Sequence, residues 1–187
     1  MALILPVRGK YPQLGPGCFL APNATLVGDV VCGEGCSFWF QCVVRGDVHY
    51  IRMGNFVNIQ DGAVIHGTYQ RAATEIGHNV SIGHRAIVHG CTIEDNVLIG
   101  MGAIVMDKAY IESGSLIAAG CVILEGTRVE KGSVYAGVPG RKVKDITPEL
   151  FEGEVQRIAR NYLLYSSWFS HPEPTENDPK PTGKGGG

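Results

Sequence analysis

The most regular feature of the chain is a pairing of small or apolar residues separated by one position, and these pairs recur every six residues. Alternate side chains of a β-strand lie on the same side, so each pair is typical of a short strand with one inward face. A repeat of this length is typical of a solenoid, in which one coil buries little surface alone and neighbouring coils stack. The inward pairs are Ala24/Leu26, Val30/Cys32, Cys36/Phe38, Cys42/Val44, Ile51/Met53, Val57/Ile59, Ala63/Ile65, Thr74/Ile76, Val80/Ile82, Ala86/Val88, Cys91/Ile93, Val97/Ile99, Ala103/Val105, Ala109/Ile111, Ser115/Ile117, Cys121/Ile123, Thr127/Val129 and Ser133/Tyr135.

This period predicts an all-β solenoid over residues 24–136, a parallel β-helix. Three six-residue units close a triangular coil of about eighteen residues, and coils stack at a spacing of about 4.8 Å. A sandwich of short strands is the alternative, but it does not explain the strict phasing of eight consecutive pairs after residue 90. Glycine adopts positive φ without steric cost, and we assign that role in the turns to Gly28, Gly33, Gly54, Gly77, Gly100, Gly114, Gly120 and Gly126.

Less regular segments flank the repeat. Residues 1–23 form a lead-in segment, and residues 137–147 form a linker. Thr147 is a suitable N-cap and Pro148 a suitable first helical residue, and apolar residues follow at helical spacing. A helix is therefore predicted over residues 148–169. The tail, residues 170–187, is polar and rich in proline and glycine, which predicts disorder.

The six-residue phase slips at three places, each of which contains a histidine: residues 45–52, 66–75 and 89–92. Slips interrupt the stacking of a solenoid and therefore indicate a purpose other than folding. If the second slip is a loop extruded between two faces, His66 and His89 lie at the same edge, one coil apart, with a backbone spacing of about 5 Å. Two imidazoles at that spacing can share one cation.

His84 falls on another face and cannot easily reach this pair within one chain. A neighbouring subunit could supply it, and cyclic threefold packing would create three equivalent sites. Three neutral imidazoles with an open position are typical of a catalytic zinc site, which lowers the pKa of a bound water to about 7. The alternative is that all three are separate surface histidines at polar corners.

Charge and composition exclude several function classes. The net charge of −2 and the pI of about 6.3 give no electrostatic attraction to nucleic acid or to an anionic membrane. No apolar run is long enough to span a bilayer, and the first residues do not form a signal peptide, so a cytoplasmic location is predicted. Five of the six cysteines lie on inward positions, and all six are predicted to be reduced.

Four segments together resemble the γ-class carbonic anhydrases: VVRGD (43–47), NIQDGAVIH (58–66), IGHRAIVHG (82–90) and GVPGRKV (137–143). The resemblance covers about residues 10–169. It implies a left-handed β-helix, a homotrimer, and a Zn²⁺ ion, with Fe²⁺ or Co²⁺ as alternatives, held by His66 and His89 of one chain and His84 of the next. The implied activity is the reversible hydration of CO2 to bicarbonate by a metal-bound hydroxide.

The resemblance also implies catalytic roles for three polar residues. Gln60 matches the residue that hydrogen-bonds the hydroxide or bicarbonate, and an amide can both donate and accept. Asn58 matches a nearby polar contact, although a structural role in a turn is also open. Tyr162 matches a tyrosine on the C-terminal helix that approaches the site, and core packing is the alternative for it.

Three charged residues match the subunit interface of the family. Arg45 and Asp61 match an intersubunit ion pair, and Asp47 belongs to the same network. Planar, bidentate pairs between arginine and a carboxylate suit such interfaces. A solvated charge cluster is the alternative.

The chain departs from the family prototype at two places. Val48 stands where the prototype has a glutamate, and loop 67–74 has no acidic residue to act as a proton shuttle. Other functions therefore stay open: a metal-dependent hydrolase such as a thioesterase, a CoA-dependent acyltransferase, and a non-catalytic trimeric scaffold subunit.

Overall fold

The inward positions of the six-residue repeat form the core of the molecule. In this computed structural model, which describes residues 1–170, the chain is a parallel β-solenoid of about seven turns followed by a C-terminal helix. Every predicted inward residue is buried except Thr127, which is partly exposed. Isoleucines of successive coils stack in register, as Ile59, Ile82 and Ile99 do. Of the tail predicted to be disordered, residues 171–187 lie outside the described part of the chain.

Short strands form the three faces of the solenoid, and all strand pairings are parallel except the last. In chain order, the strands are β1 (Leu3–Leu5), β2 (Gln13–Leu14), β3 (Phe19–Leu20), β4 (Thr25–Cys32), β5 (Ser37–Phe38), β6 (Val43–Met53), β7 (Asn58–Ile59), β8 (Val64–His66), β9 (Thr74–Ile76), β10 (Ser81–Ile82), β11 (Ile87–His89), β12 (Thr92–Ile93), β13 (Leu98–Ile99), β14 (Ile104–Val105), β15 (Tyr110–Ile111), β16 (Leu116–Ile117), β17 (Val122–Ile123), β18 (Arg128–Val129), β19 (Ser133–Ala136) and β20 (Arg141–Asp145).

Two long strands explain the first slip in the repeat. β4 and β6 each continue around a corner, so two faces join into one 12-stranded sheet, while the third face is an 8-stranded sheet. Gly28 pairs with Gly46 and Val30 pairs with Ile51, so one residue of β4 lies opposite four residues of β6. The extra residues are 47–50, which lie at this corner and include Asp47 and His49.

The second slip is a closed loop between two faces, as the repeat predicts. β8 belongs to the first face and β9 to the second, and the connection is closed by a bridge between Thr68 and Ala72. The hydroxyl of Thr74 donates to the carbonyl of His66 and accepts from the backbone N–H of Gly90. The loop is thus fixed to the strand ends that carry His66 and His89.

Both ends of the molecule contain strands outside the predicted solenoid. β1 and β2 pair with β4, and β3 pairs with β5, so residues 1–23 add a further coil with a strand on each of the three faces. Cys18 and Leu20 precede Ala24 and Leu26 by six residues and pack against the core, so the repeat itself extends to β3. Within residues 137–147, β20 runs antiparallel to β19 and has no inward pair.

The C-terminal helix begins after Thr147, whose side-chain oxygen accepts from the N–H of Leu150. It consists of α1 (Pro148–Leu150), a π-helical segment (Phe151–Gln156) and α2 (Arg157–Ser170). Val155 and Ala159 are its buried residues, and they direct the helix onto the third face. The predicted helix is therefore present, with a widened turn that the apolar spacing does not indicate.

The prediction for the turn glycines is half right. Gly28, Gly114, Gly120 and Gly126 have positive φ, between +67° and +74°. Gly100 does not have positive φ, and neither do Gly33, Gly54 and Gly77. A Cβ at Gly100 would lie 2.5 Å from the backbone nitrogen of Ala119 in the next coil. Close approach between stacked coils, and not backbone conformation, requires these four glycines.

Candidate metal centre

Two histidines face each other at the edge of neighbouring coils. His66 ends β8 and His89 ends β11, and the parallel register pairs them directly. The Nδ1 atom of His66 lies 3.2 Å from the Nε2 atom of His89, and the ring centroids are 5.2 Å apart. Two nitrogens bound to one tetrahedral zinc ion at about 2.0–2.1 Å lie about 3.3 Å apart. The spacing of the pair therefore fits one shared cation.

A carboxylate occupies the far side of each ring. Asp47 Oδ1 lies 3.0 Å from His66 Nε2, and Asp107 Oδ1 lies 2.5 Å from His89 Nδ1. If each carboxylate accepts a ring N–H, the two facing nitrogens keep their lone pairs, and both can bind one cation. Carboxylates that orient ligand histidines in this way are typical of zinc sites.

The electrostatic environment keeps His66 neutral. Burial lowers the pKa of His66, and the nearby Arg45 charge acts in the same direction, while Asp47 acts against them. For Asp47, burial opposes ionisation, but hydrogen bonds from His66 and Arg45 lower its pKa below the ordinary value. Asp107 likewise ionises more readily, because hydrogen bonds from Thr68 and His89 outweigh its burial and lower its pKa. A neutral imidazole beside an ionised carboxylate is the form that binds a metal ion.

The third predicted ligand, His84, lies on another face, as its register requires. Its Nδ1 is 2.8 Å from Asp61 Oδ2, and its Nε2 is 3.3 Å from the hydroxyl of Tyr162. Within residues 1–170, the nitrogens of His84 do not come within 4.8 Å of those of both His66 and His89. His84 is 43% exposed, so its ring is accessible to a second molecule.

A buried polar chain lies next to His84. Gln60 Nε2 donates to Asn58 Oδ1 at 3.0 Å, and Asn58 Nδ2 donates to Ser81 Oγ at 2.7 Å. Gln60, Asn58 and Ser81 are 4%, 2% and 1% exposed. Gln60, His84 and Tyr162 line one cavity of about 520 Å³ between the third face and the helix, with Leu98 among its apolar walls. The amide of Gln60 therefore has a fixed orientation at the edge of this cavity.

Tyr162 connects the helix to this face. Its ring packs edge-on against Trp39, with centroids 5.1 Å apart. Burial, together with the Asp61 charge, raises the pKa of Tyr162 to about 12. The phenol is therefore protonated at neutral pH, and its oxygen lies within hydrogen-bond distance of Nε2 of His84.

The charged residues assigned to an interface have partners within the chain. Arg45 Nη1 lies 2.5 Å from Asp47 Oδ2, whereas Asp61 pairs with His84. Arg45 is 44% exposed and Asp61 is 42% exposed. A contact between Arg45 and Asp61 of another subunit stays a prediction.

Sequence reasoning missed Asp107 and Ser81. Asp107 follows His89 by 18 residues, and Ser81 follows Asn58 by one coil that includes the loop. In a solenoid, residues separated by one coil lie next to each other, so this spacing could have predicted both contacts from the sequence. His49 and His78, the other two histidines of the solenoid, accept from backbone N–H groups through Nδ1 and have no carboxylate pair among the described residues.

Comparisons with known proteins find hexapeptide-repeat proteins and carbonic anhydrases. The family profile described as "Bacterial transferase hexapeptide (six repeats)" matches residues 90–125. A carbonic anhydrase of Geobacillus kaustophilus is 43% identical over 167 residues, covering 89% of this chain and 91% of that protein. The mitochondrial gamma carbonic anhydrase 2 of Arabidopsis thaliana is 37% identical over 165 residues, covering 86% of this chain. The chain spans 59% of the length of that plant relative.

A solved structure has the same architecture. The hexapeptide transferase family protein from Anaplasma phagocytophilum is 39% identical, with a TM-score of 0.85 over 89% of this chain and 98% of that one. No helix among residues 1–170 is both long and apolar enough to cross a bilayer. Given 43% identity over most of both chains to a carbonic anhydrase, and histidines paired where the motifs predict them, the chain belongs to the γ-class carbonic anhydrase family of hexapeptide-repeat proteins.

Proposed function

We propose that this protein catalyses the reversible hydration of CO2 to bicarbonate, with a metal ion shared between subunits of a homotrimer. The observation that carries the proposal is the pair of facing ring nitrogens of His66 and His89, which lie 3.2 Å apart, while the other nitrogen of each ring contacts a carboxylate. His66 and His89 of one chain, with His84 of the next, would hold the ion. Zn²⁺ suits three imidazoles, and Fe²⁺ or Co²⁺ are alternatives.

The bound metal ion would supply hydroxide at neutral pH by lowering the pKa of a coordinated water to about 7. The protein's own groups have separate tasks. Asp47, Asp61 and Asp107 each contact one ring nitrogen of His66, His84 and His89, and the other nitrogen of each ring would bind the metal ion. The family position of Gln60 assigns its amide to the reacting oxygen atoms, and Asn58 fixes that amide. The apolar wall at Leu98 suits an uncharged gas better than an ionic substrate.

The proton released by hydration has no acidic carrier in loop 67–74. Tyr162 is a poor carrier because its pKa of about 12 keeps the phenol protonated. Buffer molecules are therefore the expected acceptors, and turnover should rise with imidazole concentration. A rate that is high and independent of buffer would contradict this assignment.

Subunit complementation tests the shared site. His84→Ala and His89→Ala each remove one ligand, so each variant alone should lose stopped-flow CO2 hydration in the presence of zinc, cobalt or anaerobic iron. When both variants are co-expressed, a mixed trimer can combine His66 and His89 from one chain with His84 from the other. Activity in the mixture would support the proposal. Wild-type protein without hydration under every metal would overturn the reaction, and separate variants that stay fully active would overturn the ligand set.

An acyltransferase is the second candidate, because a putative acetyltransferase from Bacillus cereus is 32% identical with a TM-score of 0.86. A transferase with a single catalytic histidine does not require the His66 and His89 pair. Acyl transfer to an amine from acetyl-CoA after chelation of all metal would favour it over CO2 hydration.

A further inference from the structure

Three cysteines meet at the N-terminal end of the solenoid, away from the histidine pair. Cys18 precedes β3 and Cys36 precedes β5, and these strands are in register, so the two cysteines lie one coil apart. Cys32 ends β4 on the adjoining face, four residues before Cys36. The corner between two faces therefore brings all three side chains to one point.

The sulfur geometry fits a metal thiolate centre. All three Sγ atoms lie within 4.8 Å of one another, and those of Cys18 and Cys32 are 3.8 Å apart. Two sulfurs bound to one tetrahedral ion at about 2.3 Å lie about 3.8 Å apart. Closing the group around an ion therefore needs only small side-chain movements.

The environment of the cluster differs from that of the other core cysteines. Cys36 is fully buried and Cys32 is 5% exposed, while Cys18 is partly exposed and gives access from solvent. The thiols of Cys18 and Cys36 also donate to the carbonyls of Gly33 and Gly54.

We propose that Cys18, Cys32 and Cys36 form a second metal site, which binds one thiophilic cation, Cu(I) or Zn(II), independently of the histidine pair. Soft thiolates select these ions, whereas Mg²⁺ and Ca²⁺ need oxygen ligands. Among residues 1–170, no histidine or carboxylate joins the three sulfurs within the same distance. A trigonal sulfur set suits Cu(I), and a water molecule would complete the shell of Zn(II).

The test removes the histidine pair first, so that only the new site remains. The full-length His66→Ala/His89→Ala protein is reduced, purified without oxygen and titrated with Cd²⁺ or Cu(I). The expected results are one equivalent of bound metal, a thiolate-to-metal charge-transfer band in the ultraviolet, and a higher Tm with metal. Cys18→Ser should lose the band and at least tenfold in affinity.

Cys91→Ala is the matched control, because Cys91 is 2% exposed but does not belong to the cluster. It should keep the band and the stoichiometry. Cys18→Ala provides a second variant at the most accessible position, and its circular dichroism spectrum checks folding. The proposal is overturned if the parent protein shows no thiolate band, if Cys18→Ser or a folded Cys18→Ala retains it, or if the reduced protein, with its free thiols confirmed by titration, binds no metal.

Discussion

A histidine becomes a usable ligand when its second ring nitrogen has a partner. His66, His84 and His89 each have a carboxylate at one nitrogen, at 3.0, 2.8 and 2.5 Å. The carboxylate fixes both the tautomer and the ring plane, so less freedom is lost when a metal ion binds. The same pairing distinguishes these three residues from His49 and His78.

Asp107 offers the clearest test of this role. Asp107→Asn removes the charge but keeps the shape, and the affinity for zinc should fall by roughly 10–100-fold because the ring of His89 is less well oriented. Competition with a chromophoric chelator measures the affinity. Asp95→Asn is the matched control, since Asp95 accepts only from the backbone N–H of His78 in this region. Equal affinities for all three proteins would refute the role of Asp107.

At the scale of the element, side chains join neighbouring coils where the backbone turns. Glu94 accepts from the hydroxyl of Tyr110 at 2.6 Å and from the backbone N–H and hydroxyl of Ser113 at 2.9 and 2.7 Å. The bond from Tyr110 is the largest of the effects that lower the pKa of Glu94, followed by those from Ser113. One carboxylate therefore connects two coils on the second face.

This contact should make stability depend on pH. The folded pKa of Glu94 lies below the unfolded value of about 4.3, so its stabilisation is present above that pH and is lost as the pH falls through the folded pKa. Glu94→Gln should be less stable than wild type at pH 7, and the gap should narrow in acid. Urea midpoints across the acid range measure this gap, and Tyr110→Phe should show a smaller change in the same direction. A gap that is constant with pH would contradict the assignment.

The strands of the central coils could be predicted from sequence because their inward pairs are strictly periodic. The strands at the two ends of the solenoid were harder to predict. β1, β2 and β20 are strands because a neighbouring coil offers its backbone, and the six-residue period does not mark them, whereas the pair Cys18/Leu20 continues the period at β3. The π-helical turn at Phe151–Gln156 likewise has no signature in the apolar spacing.

At the scale of the whole molecule, the candidate site is divided between two faces of one chain. The register of the repeat correctly predicted that His66 and His89 meet and that His84 lies elsewhere. Asp107 follows His89 by one regular coil of 18 residues, so no phase slip marks its position as the slips mark the histidines. Which subunit supplies His84 depends on packing between chains and stays a prediction.

The proposed trimer should depend on Arg45. Arg45→Ala removes an exposed guanidinium that the family resemblance assigns to the subunit contact, and it also frees Asp47 from its partner. Sedimentation velocity should show dissociation at concentrations where wild type is trimeric. Arg52→Ala is the matched control, because Arg52 is 40% exposed and pairs with Asp29. A trimer of unchanged stability in Arg45→Ala would rule out the proposed interface.

The antiparallel strand at the end of the solenoid has a consequence for solubility. A parallel stack of coils ends in an open edge that can accept a strand from another molecule. β20 occupies that edge on the third face and presents the exposed sequence RKVKD, with Lys142 paired to Glu130 and Asp145. A chain truncated after Gly140 should therefore polymerise end to end, and static light scattering would detect growth with concentration. We therefore expect the short charged strand to prevent the ends of two solenoids from pairing.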